Sequence, residues 1–166
     1  MKRVIVIGCP GSGKSTFSRR LSALTGLTLY HLDMIYHRPD RTTITSEEFD
    51  RRLSEILALD EWLIDGNYGR TLEQRLAACD SVFLFDLPIE ICLEGARARV
   101  GKKRPDMPWV ERELDAEFEG FIREFPESQL PKIYSLLEKY AEKDIVIFRS
   151  REQSERYLES PEKEKS

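Results

Sequence analysis

The segment at residues 8–16, GCPGSGKST, constrains this chain more than any other. Gly8, four intervening residues, Gly13, Lys14 and Ser15 satisfy the phosphate-loop (Walker A) spacing, in which two glycines separated by four residues are followed by lysine and a hydroxyl residue. The spacing has a chemical reason. Only a residue without Cβ turns the chain so tightly while aiming successive backbone N–H groups inward at a phosphate. A helix opening near Lys14 adds the positive end of its dipole. The flanks supply the setting the motif requires: RVIVI ahead of the loop reads as a buried parallel strand, and Phe17, Leu21 and Leu24 give the following segment a helical apolar face. Gly8, Gly11, Ser12, Gly13, Lys14, Ser15 and Thr16 are therefore expected to hold the triphosphate of ATP. Lys14 would reach the β- and γ-phosphates, and the Ser15 hydroxyl would ligate Mg2+.

A chain of 166 residues supports one domain with a substantial core. Helical and strand signals alternate along it. LTLYHLD (27–33), EWLID (61–65), SVFLFD (81–86) and DIVIF (144–148) read as the second to fifth strands, with MIYHRPDRT as a loop. Thr45 with Glu48 makes a capping box ahead of Phe49, Leu53, Ile56 and Leu57; Thr71 with Gln74 makes another, and Ser150 with Gln153 caps a last helix. Pro88 suits the first turn of a helix running towards Val100. Val110, Leu114, Phe118, Phe121 and Phe125 recur at helical spacing, as do Ile133, Leu136, Leu137 and Tyr140. Five strands alternating with helices predict an α/β fold, a parallel sheet covered on both faces. There is no internal repeat, and the polar tail at 161–166 is the segment expected to lack order.

Composition narrows the function classes. Apolar residues at 40% and charged residues at 34% are those of a globular chain, and a net charge of -4 argues against direct nucleic-acid binding. No apolar run approaches membrane-spanning length, and the opening MKRVIVIG is too short an apolar run for a signal peptide. Three cysteines, Cys9, Cys79 and Cys92, lack C-x-x-C spacing and point to a reduced compartment. The expectation is a cytoplasmic protein, monomeric or dimeric. Cys9 is either a small filler in the loop or an oxidation-sensitive block on nucleotide binding.

In parallel sheets ligands bind at the carboxyl ends of the strands. Four of the five ends carry charge here: Asp33, the 65–70 stretch, Asp86 and Arg149. Asp65, closing an apolar strand beside the loop, is placed to hold magnesium's water shell, with Asp33 as the other candidate. Gly66 permits close backbone approach, and Arg70 offers a planar fork for phosphate or carboxylate. The plainer alternative makes Asp65 a turn cap and Arg70 a surface cation. ARARVGKKRPDMPW (96–109) is a dense basic cluster in an acidic chain. Arg97, Arg99 and Arg104, with Lys102 and Lys103, read as a lid over the transferring phosphoryl group, as a solvated helix end, or as a nucleic-acid patch with only Trp109 to stack. His31 and His37 have the wrong spacing for a helical ligand pair and fit packed or surface roles, though His31 could donate a hydrogen bond to an acceptor. Trp62 fits either the core or, with Tyr36 and Tyr68, an acceptor pocket.

LIDGNYGRTLEQ resembles the strand of adenylate kinase-like P-loop kinases that ends in Asp-Gly-Phe-Pro-Arg-Thr with a glutamine shortly after. VFLFDLP is similar to their fourth strand, and Arg99 matches an arginine at the edge of their lid. The pairing of the phosphate loop with HLD, W-x-I-D-G-N-Y and a Leu-Asp-Leu-Pro strand end most resembles the bacterial adenylate kinase-related, or DNA topology modulation, proteins. The resemblance implies a three-layer P-loop NTPase fold with strand order 2-3-1-4-5. It implies a single kinase domain over 1–160, with an acceptor-binding insertion at about 34–60 and a lid at about 100–127. It further implies phosphoryl transfer from Mg-ATP, with Lys14, Arg70, Arg99 and Asp33 in catalytic parts. Arg97 and Arg149 would help to hold the nucleotide, and Asp33, Gly66, Arg70 and Gln74 the acceptor.

The departures bear on the acceptor. GNYGR is one residue longer than the Phe-Pro-Arg turn, and Gly95 stands where adenylate kinases place an arginine against the donor base. The segment between HLD and IDG is nearer in size to that of shikimate or gluconate kinases, where an aspartate after the second strand holds a non-nucleotide acceptor. Asp33 is positioned likewise. The acceptor is thus a nucleoside monophosphate or another small molecule. The competing functions are a nucleotide-binding regulator, as the topology label suggests, and a slow ATPase without a small acceptor. No cysteines accompany the basic cluster, which excludes a zinc-bound lid.

Overall fold

A computed structural model describes residues 1–160; the tail at 161–166 lies outside the described residues. Five strands and eight helices follow one another as β1 (Arg3–Gly8), α1 (Lys14–Thr25), β2 (Leu29–His31), α2 (Leu32–Tyr36), α3 (Ser46–Leu57), β3 (Trp62–Asp65), α4 (Gly69–Ala78), β4 (Ser81–Phe85), α5 (Ile89–Arg99), α6 (Ala116–Ser128), α7 (Leu130–Lys139), β5 (Asp144–Phe148) and α8 (Arg151–Glu159). The strands form one sheet in the order β2-β3-β1-β4-β5, every neighbouring pair parallel. That is the α/β fold and strand order expected.

The sheet's centre is apolar on both faces because helices cover both, so its strands read as unbroken hydrophobic runs. Val4, Ile5, Val6 and Ile7 are fully buried, and Ile5 lies in register between Ile64 and Val82. On one side the rings of Phe17, Phe83, Phe85, Phe148 and Tyr157 pack at 5.0–6.2 Å and join α1 and α8 to the sheet. The register sets Gly8, Phe85 and Phe148 level and Asp65 beside Val6, so the loops that follow these strands leave from the same carboxyl end of the sheet.

Three local expectations need correction. Asp33 stands in α2, a one-turn helix closed by the His37 N–H donating to the Asp33 carbonyl at 3.0 Å, where a longer strand and a loop were expected; burial of Leu32 ties that turn to the core. Thr71 is not an N-cap: α4 opens two residues earlier, behind Tyr68 in the left-handed region (φ 37°), and the Thr71 hydroxyl donates back to the Tyr68 carbonyl at 3.1 Å. Val110 and Leu114 are not helical, because Pro105 and Pro108 keep the chain irregular until Asp115 caps α6. The other two caps form as expected, Thr45 accepting from the Glu48 N–H and Ser150 from the Gln153 N–H, each at 3.2 Å.

Candidate active site

The phosphate loop is held by what its glycines exclude. Gly8, Gly11 and Gly13 have φ of 140°, 81° and 105°, and a Cβ on Gly11 would stand 2.0 Å from the Cys92 carbonyl oxygen. Gly13 occupies the N-cap of α1, where it offers no side chain to the first N–H groups and leaves them for a ligand. The Ser12 hydroxyl donates to the Cys9 carbonyl at 2.6 Å, and Lys14 Nζ donates to the same oxygen at 3.3 Å. Cys9 and Cys92 are buried side by side, and this contact, then burial, pushes the Cys9 thiol up while the contact pulls Cys92 down; Cys9 accordingly packs as a filler.

From β3 comes the turn that faces this loop. Asn67 pins Gly8 with both ends of its amide, Oδ1 accepting from the Gly8 N–H at 2.9 Å and Nδ2 donating to its carbonyl at 2.7 Å. Behind it Arg75 is fully buried on α4 and donates to the carbonyls of Gly66 (2.8 Å), Tyr68 (3.2 Å) and Asn67. Burial pulls the Arg75 guanidinium down to about 10, so it stays charged near neutral pH. These bonds fix a turn that Tyr68 enters only in a left-handed conformation.

Three oxygens converge beside Lys14. The Ser15 hydroxyl donates to Asp65 Oδ2 at 2.7 Å and lies 3.2 Å from Asp106 Oδ2, while His31 Nδ1 is 2.8 Å from Asp65 Oδ2. Burial alone would raise the Asp65 carboxyl, but the His31 hydrogen bond and the Lys14 charge outweigh it and hold the carboxyl below its ordinary 3.8. Burial lowers Lys14, against the opposing pull of Asp65. An all-oxygen set of one hydroxyl and two carboxylates suits a hard cation such as Mg2+, which keeps waters and phosphate oxygens as its remaining ligands. Among the described residues no three His, Cys, Asp or Glu side chains form a metal cage of their own.

Two cavities meet at this point. The first, about 450 Å³, runs from Gly11, Gly13 and Thr16 along α5 to Arg151 on α8. The second, about 570 Å³, lies between the β2 and β3 ends and the segment after α5, and includes Asp33, Asp65, Gly66, Tyr68 and Trp109 in its wall. Lys14, Ser15, Arg99, Arg104 and Asp106 line both. Arg99 Nε and Arg104 Nη1 are buried there without a hydrogen-bond partner, and the nearest carboxylates to Arg104, on Asp106 and Glu111, stand off at 3.7 Å. Burial first, then repulsion from Arg104, lowers Arg99. Unsatisfied buried donors are costly, so an anion is the missing partner at this junction.

Not every expected residue reaches the site. Arg70 is exposed and forks onto Asp50 of α3 at 2.8 and 3.0 Å, outside both cavity walls, and Gln74 is exposed on the same helix. A helix that opens two residues early turns both outward, which leaves Arg70 as the surface cation of the plainer alternative. Arg97 pairs with Glu119 at 3.1 Å and Arg149 with Asp86 at 3.0 Å, and neither lines the nucleotide cavity. Asn67, Arg75, Asp106 and Arg151 were missed. Asp106 had a signal, as the only acid in the basic cluster, and Arg75 had one as the cation between Leu72 and Leu76 on a buried helix face. Arg151, which donates to the Gly11 carbonyl at 3.1 Å, had none.

No protein-family model matches the sequence, and neither does any curated protein. Solved structures do share the fold. Shikimate kinase from Acinetobacter baumannii, in complex with shikimate, superposes with a TM-score of 0.64 at 17% identity over 99% of this chain and 95% of its own. Shikimate kinase from Bacteroides thetaiotaomicron gives 0.59 at 16% over 98% and 97%, and a sugar kinase from a Janibacter species 0.57 at 17% over 97% and 92%. At such identities the likeness establishes the fold alone, the parallel 2-3-1-4-5 sheet of P-loop NTPases. Among the described residues no helix is long and apolar enough to cross a membrane.

Proposed function

We propose that this protein transfers the γ-phosphoryl group of Mg-ATP to a hydroxyl of a small acceptor bound in the second cavity. One observation carries the reading: the two cavities meet at Lys14, where two buried arginines have nitrogens without partners. The N–H groups of Gly13 to Thr16, at the opening of α1, hold the triphosphate, with Lys14 against its outer phosphates. Ser15 and Asp65 would hold magnesium, which supplies charge neutralisation at the transferring phosphate. Arg99 and Arg104 donate to the equatorial oxygens as charge spreads over them.

Asp33 faces the acceptor cavity, and its Oδ1 accepts a 2.5 Å hydrogen bond from the Tyr68 hydroxyl, which fixes the carboxylate. The acceptor's hydroxyl proton passes to this group as the phosphoryl group departs. With Arg70 bound to Asp50, the cation assigned to an acceptor phosphate is absent from the cavity. That favours a non-nucleotide hydroxyl compound over a nucleoside monophosphate. The structural neighbours named for shikimate and for a sugar point the same way.

The test is ADP release from Mg-ATP against a panel of monophosphates, sugars and hydroxy acids, with Lys14→Ala as control. Losing such a charge stabiliser lowers turnover about 100- to 1,000-fold. A folded Lys14→Ala protein with unchanged turnover overturns the reading.

A further inference from the structure

The phosphate loop touches α5 backbone to backbone. A Cβ on Gly95 of α5 would stand 2.0 Å from the Gly11 carbonyl oxygen, as one on Gly11 would from that of Cys92. Both obstacles are backbone, so neither can swing aside. The same added Cβ on Gly95 would lie 2.6 Å from Arg151 Nη2. Arg151 is the first residue of α8, where the positive end of the helix dipole disfavours a cation. Its charge is used across the chain instead: Nη2 donates to the Gly11 carbonyl at 3.1 Å and to the Ile91 carbonyl of α5 at 3.4 Å. One nitrogen therefore ties the loop, α5 and α8 together. The helix that carries it is itself fixed, by the Ser150 cap and by the Tyr157 ring against Phe17 and Phe83.

The Gly11 carbonyl is a point from which the loop can be set. The Gly11–Ser12 peptide is planar and trans, so its C=O and N–H point opposite ways. With the oxygen drawn towards Arg151, the Ser12 N–H is aimed back across the loop, where it donates to the Cys9 carbonyl at 3.3 Å. That bend leads directly into Gly13, the N-cap of α1, whose first N–H groups are left for a ligand. Glycine itself selects no single orientation of the peptide; the bond from Arg151 does. We infer that Arg151 and Gly95 are positioning residues for the nucleotide: they set the loop's grip on the phosphates through the Gly11 carbonyl, whatever base the nucleotide carries. The inference deepens the kinase reading and rests on the loop holding a nucleotide's phosphates.

The experiment asks whether the effect travels through the loop. Affinities for Mg-ADP, Mg-GDP and magnesium tripolyphosphate, which has neither base nor ribose, are measured by calorimetry on the intact protein and its variants, well below each melting temperature. Arg151→Met keeps an apolar stem and donates nothing; it is expected to weaken all three ligands by the same factor, about tenfold. Arg151→Lys retains a donor and is expected to recover most of that loss. Gly95→Ala is expected to weaken binding in the same uniform way. Combined with Arg151→Met it should lose little more than either alone, because both act on one carbonyl. Should Gly95→Ala fail to fold, the two Arg151 variants decide. A loss confined to ADP and GDP, with tripolyphosphate bound as before, makes Arg151 a direct contact to base or ribose and overturns the inference. So does a lowered melting temperature with all affinities intact. An unaltered protein that binds none of the three sinks the nucleotide reading itself, whereas binding that no variant alters sinks the inference alone.

Discussion

The phosphate loop is braced by groups that satisfy one another, and the second cavity is lined in part by groups that do not. Around the first, Asn67 closes both polar groups of Gly8, Arg75 closes three carbonyls behind it, and Arg151 closes Gly11. In the wall of the second, the stretch at 100–115 has no regular structure and leaves polar atoms of Arg104 and His37 unpaired, as is Arg99 Nε at the helix end that precedes it. A loop that cradles phosphate by its backbone must be shaped before the phosphate arrives. A wall that grips a reacting group by side chains keeps its donors open for that group.

The sharpest test of the pre-shaped half is Arg75→Ala. It strands three buried carbonyls and opens a void, and is expected to cost about 4 kcal/mol. For a chain of this size that lowers the melting temperature by roughly 10 °C. A calorimetric shift under about 2 °C would show that the turn at 66–68 holds itself. The open half predicts the opposite pattern. Arg99→Ala is expected to lower turnover about 100-fold, or about 2.7 kcal/mol, while the melting temperature stays level or rises, because a repelled and unpartnered cation has left. A loss of stability with turnover intact would place Arg99 with the structural groups.

Asp65 stands between the two halves, and its contribution has a pH signature. A carboxyl held below 3.8 in the fold adds stability that is fully present above that value and is lost as pH falls through its lowered folded value. Asp65→Asn should therefore cost about 2 kcal/mol of unfolding free energy at pH 7 and progressively less below pH 3.8. A gap that stays constant with pH would mean that the His31 and Lys14 contacts do not hold the charged form. The smallest effect belongs to Arg70→Ala. An exposed, solvent-screened pair with Asp50 adds little stability, so the melting temperature should barely move and turnover should be unchanged. A hundredfold loss of turnover would return Arg70 to the acceptor.

The same division decided what could be read from the sequence. The strand–loop–helix unit, the strand order implied by the resemblance, and the meeting of Lys14, Ser15 and Asp65 were legible because each position there follows from local spacing or from a strand end. Arg70 is found outside the cavity because its position depends on where α4 begins, and that rests on Arg75, one residue past the motif, gathering the carbonyls of Gly66, Asn67 and Tyr68 within it. Val110 and Leu114 misled because helical spacing ran across two prolines. The place of Asp106 depends on a long loop folding back onto Ser15; its being the only acid in a basic cluster marked the residue but not the partner it returns to.

The Gly11 carbonyl is answered by a guanidinium 140 positions later in the chain. A nascent chain therefore makes its phosphate loop 140 residues before the arginine that props it. Until α8 has left the ribosome and docked through Tyr157 on the ring cluster, that segment lacks one of its props. A chain stopped short of α8 would carry the loop without that prop, and the loop's full shape would arrive only with α8.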